Sequence, residues 1–320
     1  MRRALRLFLL LVAVGASTPA AAERLPGTRF EKLGTTDGLG RQVTYYLSDS
    51  TSPKPLALVI QGSGCSALFR QLADGAMSAV GYHNVFRSVG GDRFRVLAVE
   101  KPGARSITEP PVGGTAEGCP QAFLEEHTVE RWAVALVAAM AAARRQPNVE
   151  SDRTLVIGHS EGGVLAARLA RLDRRVRHAA LLASPGPDPV EELILWGEGR
   201  KRPRDETAAM IERIRAKPDS ITDYVLGHPH RRWASFLAAN PLRDLLASSA
   251  VVFAGHGDAD TNWPVAAHDA LVKGLHAGGA SVTTLRLGGA DHSMNRGGQR
   301  PPEGMLDAFK SVLNWISDVP

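Results

Sequence analysis

Short apolar runs alternate with stretches of helical period along most of the 320 residues. Arg41 to Leu47 alternates and is rich in β-branched and aromatic residues, which predicts an early strand. Leu56 to Ile60 is continuously apolar, as expected of a strand covered on both faces of a parallel sheet. Similar runs at Phe94–Glu100, Thr154–Ile157, Ala179–Ser184, Val251–Ala254 and Val282–Leu287 predict further strands. Between them lie helical patterns. One runs from about Thr128 to Arg145, with Val129, Trp132, Ala133, Leu136, Val137 and Met140 on one stripe. Another follows at Val164–Ala170, and an amphipathic helix over Met305–Asp318 closes the chain. Strand-helix alternation of this kind predicts an α/β fold with a doubly wound, mostly parallel sheet. From about Asp188 to Leu246 the alternation stops. That stretch is charged, shows no clear strand, and reads as short helices at Val190–Trp196, Glu206–Ala216 and Trp233–Ala239. An insertion there, about residues 187–246, would lie as a helical cap over the strand C-termini, where open α/β sheets bind ligands. Ordinary surface helices are the alternative.

The N-terminus does not belong to this pattern. A basic start, Met1-Arg2-Arg3-Ala4-Leu5-Arg6, precedes an apolar run from Leu7 to Val14 and a small-residue site at Ala20-Ala21-Ala22. This predicts a signal peptide over residues 1–22, with export to the periplasm or medium. The run is too short for a stable membrane anchor. Its removal takes away three arginines and no acid, so the formal charge falls from +5 to +2. No basic stretch is interleaved with stacking aromatics, which argues against nucleic-acid binding. The Arg200–Arg204 cluster reads as a solvated loop. Cys65 and Cys119, a single pair in an exported chain, are candidates for a disulfide. The bridge would close a loop of about 55 residues, worth on the order of 4 kcal/mol in the loop-entropy description.

The chemistry centres on Gly158-His159-Ser160-Glu161-Gly162-Gly163, which joins the run at 154–157 to the helix at 164–170. G-x-S-x-G between a strand and a helix describes a nucleophile elbow. Glycines two residues either side of the serine leave room for a turn that a Cβ would obstruct. The turn raises Oγ above the sheet edge and aims the first helical N–H groups at whatever Oγ attacks. A serine needs a base to take its proton and an acid to hold that base. Two later strands end in suitable residues. The run at 251–254 leads into Gly257-Asp258-Ala259-Asp260-Thr261-Asn262-Trp263-Pro264, and the run at 282–287 into Gly288-Gly289-Ala290-Asp291-His292.

These motifs, in the order Ser, Asp, His, resemble those of the α/β-hydrolase superfamily over nearly all of residues 30–318. The resemblance implies Ser160 as nucleophile and His292 as base. It implies Asp260 as the orienting acid, three residues after a glycine, with Asp258 as the fallback. The glycine-rich Gln61-Gly62-Ser63-Gly64-Cys65 after the strand at 56–60 resembles the first oxyanion loop, although that loop usually opens His-Gly. It implies backbone N–H donors at Ser63, with Gly64 the alternative, and at Glu161. No cofactor or metal is implied. Neither His228-Pro229-His230 nor His256 with Asp258 and Asp260 makes up a ligand set at metal-site spacing. His159 reads as a packing residue beneath the elbow. The resemblance implies hydrolysis of an acyl bond, with a carboxylic ester favoured. A peptidase acting on a short peptide is the alternative, and it would need an acid from the cap: Glu191, Glu192, Glu198 or Glu206. A small-molecule ester or short peptide is therefore the expected partner. Acyl transfer and a non-catalytic binding protein on the same fold stay open.

Overall fold

The computed structural model describes residues 22–104 and 113–318. The proposed signal segment lies outside them, apart from Ala22. In chain order the first half holds β1 (Glu23–Arg24), β2 (Phe30–Thr36), β3 (Gln42–Ser48), β4 (Lys54–Ile60), β5 (Phe69–Gln71), β6 (Met77–Ala79), α1 (Tyr82–Gly90), β7 (Arg95–Val99), α2 (Gln121–Glu126) and α3 (Val129–Ala143). Then come β8 (Val149–His159), α4 (Glu161–Leu172), β9 (Val176–Leu182), α5 (Pro189–Glu198), α6 (Arg204–Ala216), β10 (Tyr224–Val225), β11 (His228–Pro229), α7 (His230–Leu237) and α8 (Pro241–Leu246). The chain closes with β12 (Val251–Gly257), α9 (Val265–Ala277), β13 (Val282–Leu287) and α10 (Glu303–Asp318).

Nine strands form one sheet in the order β1-β2-β3-β7-β4-β8-β9-β12-β13. It is parallel from β7 to β13 and antiparallel across β1, β2 and β3. The apolar runs are the central strands because both their faces are covered. In β4, Leu56, Leu58 and Ile60 join the core under α3 and α4. Ala57 and Val59 of the same strand join the core under α1 and α10, which also holds Phe86 and Phe309. This alternation is the period-two geometry of a strand made visible. The pattern of the sequence did not reveal β2, Phe30-Glu31-Lys32-Leu33-Gly34-Thr35-Thr36. It lies near the antiparallel margin, with alternate residues exposed and a glycine in the middle, so its apolar signal is thin. Helices α1, α2 and α9 and the small β5–β6 hairpin were likewise not anticipated.

Between β9 and β12 the chain leaves the sheet. Asp188 caps α5 by accepting from the Glu191 N–H, and Pro189 occupies the first turn, where its missing N–H costs nothing. Leu193, Ile194, Met210, Ile211, Ile214, Val225 and Trp233 bury one another in a small separate core. The β10–β11 hairpin corrects the expectation that this stretch has no strand. It is two residues a side, too short to leave a periodic trace.

A disulfide joins Cys65 to Cys119, with Cα atoms 5.8 Å apart. It fastens the loop after β4 to the segment before α2, where Ala116 and Phe123 pack around it. Among the described residues, no helix is long and apolar enough to cross a membrane.

Candidate active site

The turn from β8 into α4 holds Ser160 at φ 56°, ψ −123°, a strained conformation for a residue with a Cβ. Its N–H donates to Leu182 O at 2.9 Å, and its carbonyl accepts from Gly163 N at 3.0 Å. The flanking glycines are required by contact. A Cβ on Gly158 would lie 2.0 Å from Gly162 O, and one on Gly162 would lie 2.4 Å from Ile60 O.

The ends of β12 and β13 bring in the other two groups. His292 Nδ1 lies 2.8 Å from Asp260 Oδ2. A carboxylate only accepts, so Nδ1 carries a proton, and Nε2 is the nitrogen left to face a reacting group. The Asp260 side chain is wholly buried. Its Oδ1 accepts from Asn262 N at 2.7 Å and Trp263 N at 3.0 Å. His256 Nε2 lies 3.2 Å from Asp260 Oδ2. Burial would raise the Asp260 pKa, but hydrogen bonds from His256 and His292 and the Trp263 N–H outweigh it and hold the carboxyl below its usual range. Asp258, the fallback acid, is exposed and accepts from Gly289 N at 2.5 Å, so its contact is with the β13 turn.

His159 packs edge-on against Tyr82 and lies beside the His292 ring, at centroid distances of 5.1 Å and 4.9 Å. Its role exceeds packing, because its Nε2 lies 2.8 Å from His292 O and so donates to that carbonyl. Burial, helped by the neighbouring His292, pushes its pKa down to about 3, and the ring stays neutral.

A second group of charges lies on the other side of the elbow. The Glu161 side chain points into the protein, not outward, and is 3% exposed. Arg232 of α7 donates to its Oε1 through Nε at 2.6 Å and also through Nη2. His127 Nε2 lies 3.1 Å and Lys101 Nζ 3.8 Å from its Oε2. Burial opposes this charge, yet Arg232, His127 and Lys101 hold Glu161 well below the ordinary carboxylate value. Lys101, in the turn after β7, also donates to Gly62 O at 2.5 Å and Gly64 O at 2.7 Å, and sits 4.5 Å over the Trp132 ring. Burial lowers its pKa to about 8. These contacts set the loop. A trans peptide points its C=O and N–H in opposite directions. The Gly62–Ser63 peptide, whose carbonyl is held by Lys101, therefore turns the Ser63 N–H away from that lysine. Gly62 itself abuts the nucleophile: a Cβ there would lie 3.2 Å from Ser160 Cβ.

Ser160, His292, Gly62, Ser63 and Glu161 all line one cavity of about 690 Å³. Its opposite wall comes from the segment between β9 and β12, through Leu193, Trp196, Arg200, Arg232, Trp233 and Phe236. Glu191, Glu192, Glu198 and Glu206 are not among its lining residues. Glu192 is buried and accepts from Gly186 N, Asp188 N and Trp263 Nε1, tying α5 to the Asp260 loop. Glu191 and Glu198 pair with Arg204, and Glu206 with Arg202. His228 lines the cavity with Nε2 3.0 Å from Gly114 O. Among the described residues no group of three or more His, Cys, Asp or Glu is placed to hold a metal ion.

The model of the alpha/beta hydrolase family matches residues 62–308. The chain belongs to that family. Among solved structures, this hydrolase is similar to Est1E from Butyrivibrio proteoclasticus at 16% identity and a TM-score of 0.55, over 89% of this chain and 99% of that one. It is also similar to the acylaminoacyl peptidase of Pyrococcus horikoshii at 12% identity and a TM-score of 0.59, over 91% of this chain and 42% of that one. At such identities the likeness is one of fold. No curated protein matches the sequence.

Lys101, His127 and Arg232 were not singled out by sequence reasoning, and Glu161 was considered only for its backbone. Only Lys101 left a trace, as a polar residue directly after a buried strand. The others come from separate helices, and no spacing announces their meeting.

Proposed function

We propose that the protein is a serine hydrolase acting through an acyl-enzyme on Ser160, with a carboxylic ester as substrate. The observation that carries this reading is the His292–Asp260 pair opening onto the cavity that also holds the strained Ser160. In this mechanism Oγ attacks the acyl carbon while His292 Nε2 takes its proton. Asp260 holds the Nδ1 proton in place and stabilises the imidazolium. The carbonyl oxygen, now an anion, is bound by the N–H groups of Ser63 and Glu161. The Lys101 contacts favour Ser63 over Gly64, since they fix and polarise the peptide that carries its N–H. The intermediate collapses, the C–O bond to the alcohol breaks, and His292 returns its proton to the departing oxygen. Water activated by His292 then repeats the sequence and frees the acid.

An ester is favoured over a free amino terminus because the four cap glutamates all lie outside the cavity lining. A buried ammonium would need such an acid. We further propose export. The Cys65–Cys119 bridge suits an oxidising compartment, as does the leader-like pattern of residues 1–22.

The test is labelling with a fluorophosphonate, with the adduct located by peptide mass spectrometry, beside turnover of aryl esters and aminoacyl amides. An adduct on Ser160 with ester turnover is expected. Amide turnover alone would move the assignment to a peptidase. An unlabelled Ser160 with no turnover would sink the catalytic reading in favour of a binding protein.

A further inference from the structure

The cavity wall opposite Ser160 is cationic. Arg200, after α5, is exposed at the cavity and stacks over Trp196 at 4.1 Å. Arg232 lines the same cavity, 6% exposed, with its guanidinium 4.0 Å from the Trp233 ring centre and 4.7 Å from that of Phe236. Nε and Nη2 of Arg232 are taken by Glu161, but Nη1 has no hydrogen-bond partner among the described residues. A guanidinium N–H left unpaired and shielded from water is costly, so a ligand oxygen that displaces its cover and accepts from it is favoured.

The charge balance points the same way. Glu161 is the one carboxylate among the described lining residues, and it is already engaged by Arg232, Lys101 and His127. His127 and His228 also face this cluster. Burial lowers both, to about 4 and about 3, so they are neutral near pH 7. Among the described lining residues Arg200 and Arg232 against Glu161 leave a surplus of one positive charge, and behind the wall the charge of Lys101 is offset by that of Asp260. A low-dielectric cleft focuses such a surplus, and guanidinium groups suit carboxylate geometry.

We infer that Arg200 and Arg232 bind a carboxylate that the substrate carries in addition to its scissile acyl bond. The physiological substrate is then an acidic ester, such as a half-ester of a dicarboxylic acid or an ester of a hydroxy acid. This rests on the serine-hydrolase reading for turnover, though not for binding.

Two pairs of probes isolate the charge. p-Nitrophenyl hydrogen adipate against its methyl ester places the carboxylate on the acyl side. 4-Acetoxybenzoate against its methyl ester places it on the alcohol side. In at least one pair, kcat/KM for the acid should exceed that for the methyl ester by tenfold or more. The ratio should shrink as salt is raised. Arg200→Glu, at an exposed position, should cut that ratio at least tenfold. Arg232→Lys, which keeps the charge opposite Glu161 but loses the fork, should also lower it. A ratio near or below one in both pairs, or a ratio unmoved by both variants, overturns the proposal. Binding is read separately on Ser160→Ala by calorimetry with adipate and with dimethyl adipate. Tighter binding of adipate without turnover in the wild-type protein would keep the anion site and discard the hydrolase. Equal or absent binding of the two, with turnover of both esters intact, would do the reverse.

Discussion

Asp260 and Glu161 are both carboxylates withdrawn from water, and they differ in what faces them. Asp260 is met by two imidazoles, His292 and His256. Glu161 is met by a guanidinium, an ammonium and a third imidazole. Each stays ionised because its partners outweigh the cost of burial. The partners decide what the charge is good for. In the proposed mechanism Asp260 backs an imidazole whose charge changes during the reaction. Arg232 keeps its charge throughout, and with Lys101 it makes the Glu161 cluster a scaffold. That scaffold joins the loop after β4, the start of α4 and helix α7. In the proposed mechanism one buried acid serves proton movement, and the other serves position.

The sharpest test of this contrast removes the group between the two clusters. Ser160→Ala should lower kcat by roughly 10⁵-fold or more while leaving the melting temperature near that of the wild type. Asp260→Asn should cost roughly 10⁴-fold in kcat, since an amide can hold His292 in the wrong tautomer. Asp258→Asn changes an exposed turn contact and should alter activity by no more than about twofold. If the two asparagine variants exchanged these effects, the orienting acid would be Asp258.

Glu161→Gln should show the opposite signature, with stability lost ahead of chemistry. It leaves Arg232 and Lys101 buried without their counter-ion, at a cost of about 3–5 kcal/mol by denaturant unfolding. Its pH dependence has a definite sign. The folded-state pKa of Glu161 is depressed, so the wild type gains stability that is complete above the ordinary carboxylate value. That gain is lost as pH falls through the lower folded value. Acid unfolding of the variant should lack this component.

A more modest loss than at Ser160 or Asp260 is expected at the link between the clusters. Lys101→Met should reduce kcat about tenfold, less than the 10²–10³ expected on losing an oxyanion donor outright. Lys101 loses its proton near pH 8, so the wild type should show a decline in kcat above that pH. The variant should not. A Lys101→Met enzyme that kept the same alkaline decline would show that the lysine is only a packing residue.

The two clusters were unequally legible in the sequence. Ser160, Asp260 and His292 each follow an apolar run at a strand end, so periodicity and a short motif put them on one edge of a parallel sheet. Central strands announce themselves because both faces are buried. β2 did not, because one face meets water. Glu161 was noticed for its backbone N–H, and nothing in the pattern told that its side chain turns inward to Arg232, 71 positions later. His159 read as packing, while its bond to His292 O needs β8 and the β13 turn brought together.

What the chain determined by itself is therefore what local rules control: the strand-helix alternation, the glycines that an elbow demands, and the residue types at strand ends. Those features follow from the period of burial and from sterics within a few bonds. Only the tertiary structure decided which aspartate meets His292, which way the Gly62–Ser63 peptide faces, and that Arg232 of α7 meets Glu161. Such pairings depend on distances between segments far apart in sequence, and the low dielectric that gives them their strength exists only once the chain has excluded water around them.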